Sequence, residues 1–186
     1  AALGAGAKAN HLTYLGDATI GELEIEYVLD TLRKGRLSYG PYTASFEREF
    51  AAAHQRKFAV FCNSGTSALQ VAVQAMKETY GWADGDEVLV PAMTFIASSN
   101  VVLHNRLRPV FVDIEPDYYG IDVDQIARHI TPRTRAIMPV HMFGQACDMD
   151  GVLRIAREHN LRIIEDSCEA MFVRYKDRPV GSWGDV

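Results

Sequence analysis

Cysteine is scarce: the 186-residue chain has three, Cys62, Cys147 and Cys168, and no two stand in a Cys-x-x-Cys pair. An odd, unpaired set is a poor disulfide framework and a poor zinc site. His141 and Cys147 lack a second pair at zinc-like spacing, so no metal is expected. No run approaches the roughly 18 consecutive apolar residues of a membrane-spanning helix. No basic stretch leads into an apolar one as in a secretory leader. Positive charge is not in surplus either: 19 Lys+Arg against 24 Asp+Glu leave a net charge of −5. That balance argues against a general nucleic-acid partner. Repeats and low-complexity blocks are also missing. These absences predict a soluble, cytoplasmic protein with reduced thiols and neither nucleic-acid nor membrane partners.

What is present is ordinary globular material. Apolar residues make up 48% and charged residues 23%, enough for a sizeable core. At about 100–200 residues per domain this is one domain or a piece of a larger one. Residues 1–18 begin with small, featureless side chains and are expected to be a mobile tail or a vector-derived remnant. The remaining stretch, 19–186, is expected to be a single α/β unit. A helix is predicted over 21–34, with Leu23, Tyr27 and Val28 at helical spacing and Gly35 as its stop. After the turn Leu37-Ser38-Tyr39-Gly40-Pro41, a second helix over 43–54 is predicted to bury Phe46, Phe50 and Ala53.

From there apolar runs alternate with helical stretches. Strands are predicted at 58–62, 87–90, 109–112, 136–140 and 161–164, and helices at 66–80, 94–105, 122–130 and 149–159. In the first of these helices Leu69, Val73, Met76 and Tyr80 form one apolar stripe. This cadence predicts a three-layer αβα fold with a mostly parallel sheet. Ligand sites in such folds lie beyond the carboxyl ends of the strands. The residues to question are therefore those that follow each run.

Asn63-Ser64-Gly65-Thr66-Ser67-Ala68 stands between an apolar run and an amphipathic helix. Ser64 or Thr66 can cap the helix, and Gly65 permits close backbone approach. Oriented N–H groups and the positive end of the dipole suit a phosphate there. The Walker lysine is missing, so the loop is not built for nucleoside triphosphates, and no Gly-x-Gly-x-x-Gly follows a strand. An ordinary capped helix satisfies the same residues. Further on, Ile163-Ile164-Glu165-Asp166 carries a carboxylate straight out of a buried strand. Such a charge needs a cationic partner: a metal, an arginine or a protonated ring nitrogen. Phe95, in Met93-Thr94-Phe95, can stack on a planar ring or fill a core. His141, after another strand, reads as a hydrogen-bonded core histidine.

Taken together, a phosphate loop, a ring stacker and a carboxylate for a pyridinium describe a pyridoxal phosphate (PLP) pocket. The chain resembles the DegT/DnrJ/StrS sugar aminotransferases, a family of fold-type-I PLP enzymes with an aspartate aminotransferase-like large domain. The resemblance runs over 19–186 and rests on six blocks in order. They are Gly40-Pro41, the Asn63 to Leu69 block, Pro91-Ala92-Met93-Thr94-Phe95, Pro139-Val140-His141-Met142-Phe143-Gly144, Ile164-Glu165-Asp166 and Val180-Gly181-Ser182-Trp183-Gly184-Asp185. The resemblance implies that Ser64, Gly65, Thr66 and Ser67 hold the phosphate, that Phe95 stacks on the ring and that Asp166 pairs with its nitrogen. It implies that Glu169 lies near the cofactor's 3-oxygen and that Ser38, Tyr39 and Gly40 border the sugar site. PLP or its amine form PMP as cofactor, a nucleotide-linked 4-keto or 3-keto hexose as substrate, glutamate as amino donor and a homodimer also follow from it.

Two departures bear on activity. The Schiff-base lysine is expected beyond Val186, and none of Lys8, Lys34, Lys57, Lys77 and Lys176 stands at a comparable place. The chain is thus expected to be the N-terminal part of a PLP-binding large domain, with the catalytic residue elsewhere. A complementary C-terminal chain is one source for it, and a non-catalytic fragment or half of a split protein is a further alternative. The second departure is Glu169, where sugar aminotransferases of the family carry glutamine. The Asp166-Ser167-Cys168-Glu169 pattern is similar to that of the PMP-dependent sugar 3-dehydratases, in which histidine replaces the lysine.

Overall fold

The computed structural model describes residues 20–186, and the expected tail over 1–18 lies outside them. Two compact units divide between Tyr42 and Thr43. In the first, helix α1 (Glu22–Arg33) starts where the Glu24 carboxylate accepts the Gly21 N–H at 2.7 Å. Near its end Lys34 pairs with Asp30 at 2.6 Å, and the Tyr42 hydroxyl donates to the same carboxylate at 2.7 Å. The Leu37-to-Gly40 turn follows, its Tyr39 carbonyl accepting from Arg36 Nε at 2.9 Å.

Helix α2 (Pro41–Ala53) leads into the second unit and buries only Ala51. The expected burial of Phe46, Phe50 and Ala53 is therefore corrected: Phe46 is half exposed, stacked on Phe50 at 5.3 Å and edge-on to Phe61 at 5.6 Å. The rings satisfy one another instead of entering the core. Helix α3 (Gly65–Tyr80) turns Leu69, Val73 and Met76 inward as its spacing predicts. Tyr80, at the end of the stripe, stays exposed beneath the Arg162 guanidinium at 4.0 Å.

Four parallel strands form the sheet. They are β1 (Glu87–Pro91), β2 (Arg108–Val112), β3 (Thr134–Ile137) and β4 (Arg162–Ile163), in spatial order β2-β1-β3-β4. Helix α4 (Ala97–His104) connects β1 to β2, α5 (Val123–Ile126) with a short 3-10 turn precedes β3, and α6 (Met149–Glu158) precedes β4. Successive strand side chains point to opposite faces. Val88, Val90, Ala136, Met138 and Ile164 accordingly pack with α3 and α4 residues in one core. Leu89, Ile137 and Ile163 pack with Ile126 and the apolar face of α6 in another. Two cores on either side of one sheet make the three-layer αβα architecture. A small hairpin, β5 (Arg174–Tyr175) and β6 (Arg178–Pro179), follows.

One expected strand is absent. Residues 58–62 join no ladder, and Phe58, Val60 and Phe61 are 76%, 74% and 55% exposed. An apolar run becomes a strand only where a neighbour takes its backbone N–H and C=O groups. Among the described residues none does; the Phe61 N–H goes instead to the Glu47 carboxylate at 2.9 Å. The far edge of β4 is occupied: the Ile163 carbonyl accepts the Asp185 N–H at 2.9 Å, and the Glu165 N–H donates to the Val186 carbonyl at 2.9 Å. Among the described residues no helix is long and apolar enough to cross a membrane.

Candidate active site

All four strands run the same way, so β1, β3 and β4 deliver Ala92, Val140 and Asp166 to one end of the sheet. Asp166 is held by its backbone first. Its N–H donates to the Pro139 carbonyl and its carbonyl accepts the His141 N–H, both at 3.0 Å. The side chain is 4% exposed, and its two oxygens accept from Ser98 Oγ at 3.1 Å and from the Cys168 N–H at 3.2 Å. Ser98 also meets Thr94 Oγ1 at 3.0 Å, tying the start of α4 to the carboxylate. Phe95 lies between those two hydroxyl residues in the chain and is 67% exposed. Sequence reasoning missed Ser98; the signal was two hydroxyl residues four apart at the mouth of a strand.

The α3 terminus forms the opposite wall. Ser64 caps it, its Oγ accepting the Ser67 N–H at 3.1 Å, so of the two expected caps it is Ser64 and not Thr66 that serves. Helix geometry leaves the N–H groups of Gly65 and Thr66 without a carbonyl inside α3. A Cβ on Gly65 would lie 2.9 Å from Cys168 Sγ, so glycine is what lets the loop close against the segment after β4. Gly65, Asp166 and Ser167 line one cavity of about 740 Å³, with Phe58, Val60 and Leu69 supplying apolar wall. That volume falls in the range of about 300–1,000 Å³ typical of small-molecule sites. The Ser167 hydroxyl in this wall is buried and has no hydrogen-bond partner among the described residues.

Not every expected residue converges. Glu169 is exposed and accepts the Phe143 N–H at 2.9 Å, which secures the left-handed turn there (Phe143 φ 53°). Ser38, Tyr39 and Gly40 belong to the first unit and are described with it. Burial, then the neighbouring Asp166 and Glu169 carboxylates, push the Cys168 thiol up to about 12. At neutral pH it is a neutral wall of the cavity.

His141 is fully buried, and both ring nitrogens are bonded. Nδ1 accepts the Cys147 N–H at 3.1 Å, which leaves the proton on Nε2 to donate to Glu165 at 3.1 Å. Cys147 donates its thiol proton to the Val140 carbonyl at 3.0 Å, and burial above all pushes that thiol up to about 12. Burial alone would raise the Glu165 carboxyl too. The bonds from His141 and from the amides of Gly184 and Gly181 outweigh it and hold the group below its ordinary value.

The site and fold together define an α/β protein in which the N-terminus of a long helix and a buried carboxylate share one cavity. A model of the DegT/DnrJ/EryC1/StrS aminotransferase family matches residues 18–186, and the chain belongs to that family. It is 45% identical over 163 residues to a GDP-perosamine synthase of Caulobacter vibrioides, covering 87% of this chain and 43% of that protein. An aminotransferase structure from Psychrobacter cryohalolentis superposes with a TM-score of 0.84 at 38% identity, over 89% of this chain and 42% of the other. A GDP-4-keto-6-deoxymannose-3-dehydratase with a trapped PLP-glutamate geminal diamine superposes with a TM-score of 0.85 at 26% identity, over 90% and 44%. The chain thus spans less than half the length of each of these relatives.

Proposed function

We propose that this chain is the cofactor-binding part of a PLP- or PMP-dependent aminotransferase acting on a nucleotide-linked keto hexose. One observation carries the reading: Gly65, at the N-terminus of α3, and Asp166, a buried carboxylate, line the same cavity. A helix terminus and a carboxylate in one cavity suit a molecule with a phosphate at one end and a basic ring at the other. The Ser167 hydroxyl in the wall, unpartnered among the described residues, fits a polar ligand. PLP, when bound, supplies an electron sink that stabilises a carbanion at the amino-bearing carbon.

Each residue then has a task. Gly65 and Thr66 offer N–H groups to the phosphate, and Ser64 and Ser67 hold the loop in shape. Asp166 keeps the ring nitrogen protonated, and Ser98 and the Cys168 N–H keep Asp166 aimed. Phe95, exposed directly after Thr94, covers the ring, and Glu169 lies near the cofactor's 3-oxygen. Ser38, Tyr39 and Gly40 border the sugar. Glutamate is the amino donor, and the Schiff-base lysine lies in a part of the protein outside these residues, in the same chain or a complementary one. Phe95 and Ile96, 67% and 65% exposed, support completion of the pocket by a second copy. The reading places the enzyme in the cytoplasm, where its three free thiols stay reduced.

Glu169 favours a second reading, a sugar 3-dehydratase with histidine in place of lysine, and the likeness to the 3-dehydratase structure supports it. Borohydride treatment of the full-length protein with PLP separates the two. Under the first reading one lysine outside these residues becomes covalently labelled. No label, with histidine at that position, replaces it with the second, and no bound cofactor at all removes both.

A further inference from the structure

The turn over 181–184 is gripped from two sides. Glu165 Oε2 accepts the Gly181 N–H at 2.7 Å, and Oε1 accepts the Gly184 N–H. Arg56 donates from Nε to the Gly181 carbonyl and from Nη2 to the Gly184 carbonyl, both at 2.9 Å. The same two glycines therefore have their donors held by one side chain and their acceptors by another. Side chains are excluded at both: Gly181 has φ +76°, and a Cβ on Gly184 would lie 2.8 Å from the Ile163 carbonyl oxygen. His141 completes the arrangement, donating from Nε2 to Glu165 while its backbone N–H holds the Asp166 carbonyl.

We infer that Arg56, Glu165 and His141 form a clamp on the 181–184 turn that sets the position of Asp166 at the end of β4. The clamp and the carboxylate share a backbone: Glu165 directly precedes Asp166, and its N–H is tied to Val186, just past the turn. Arg56 and Glu165 border the cavity, but the bonding atoms of all three are spent on the turn and on one another, so they are positioning residues. The inference rests on the reading of Asp166 as the ring's partner.

Glu165→Gln in the full-length protein is the direct test. A carboxamide has one acceptor oxygen, so keeping His141 and Gly181 satisfied turns its NH₂ against the Gly184 N–H. Hydrogen exchange of the cofactor-free protein should then show the Gly184 amide at least tenfold faster, with Gly181 less affected. The PLP dissociation constant should rise about tenfold, with a shift in the bound cofactor's absorption. A paired comparison covers the case in which that variant fails to fold. His141→Gln keeps a donor where Nε2 stands and should retain slow exchange and tight binding, whereas His141→Asn should lose both. Arg154→Gln, on the exposed face of α6, should change neither. Unchanged amide exchange in Glu165→Gln, or in His141→Asn, overturns the clamp. Faster exchange with unchanged PLP affinity and spectrum overturns its positioning role. If Asp166→Asn leaves PLP affinity unaltered, the cofactor reading falls and the positioning role with it, while the exchange result still reports on the clamp.

Discussion

Asp166 shows how a single side chain acquires its place. It is buried, yet its oxygens accept from Ser98 and from the Cys168 N–H and its peptide group makes two backbone bonds, so the carboxyl group is fixed by neutral donors. Ser98 donates to it from its side chain, and it too is fully buried. Ser98→Ala is expected to cost about 1.5–3 kcal/mol, the range for a hydrogen bond to a charged group, measurable by urea unfolding. At Cys168 the raised thiol predicts slow alkylation by iodoacetamide at pH 8, accelerating only as pH climbs toward 12; rapid labelling at pH 8 would refute the neutral-wall assignment. Asp166 was legible in the sequence because a carboxylate leaving an apolar strand has few uses. Ser98 and the Glu165 clamp were not. Their partners lie 68 and 19 residues away, and nothing in local spacing reports such contacts.

At the scale of elements, periodicity carried the four parallel strands and the long helices within a few residues. It failed where identity of the neighbour decides. Residues 58–62 have the composition of a buried strand, but a ladder needs a second chain segment, and the run instead lines the cavity. The stretch over 122–130 was expected as one helix and is a single α-turn followed by a 3-10 turn, because Ile126 alone is buried there. The sheet itself is sensitive to volume. Leu89 is fully buried at the centre of β1, and Leu89→Ala is expected to lose about 2–5 kcal/mol in a urea titration. Gly184→Ala should destabilise through crowding of its Cβ against the Ile163 carbonyl oxygen at 2.8 Å and Cγ2 at 2.9 Å, and in a double-mutant cycle Ile163→Ala, which removes Cγ2, should not recover the loss. Recovery would place the clash on the side chain instead of the carbonyl.

For the molecule as a whole, pH tests the buried network. Glu165 has an ordinary value of 4.5 and is held lower in the folded state. A depressed folded value means the stabilisation is complete above 4.5 and is lost as pH falls through the folded value. Urea unfolding followed from pH 7 to 3 should therefore show an acid limb that Glu165→Gln flattens, while an unchanged limb would mean other carboxylates govern it. The central claim is that one cavity holds a phosphate at Gly65 and a protonated ring at Asp166. Nitrogen-15 NMR of PLP labelled at its ring nitrogen, bound to the full-length protein at pH 8, tests this most directly. The account predicts a pyridinium signal in the unaltered protein and a neutral pyridine signal in Asp166→Asn. The same signal in both proteins would contradict it.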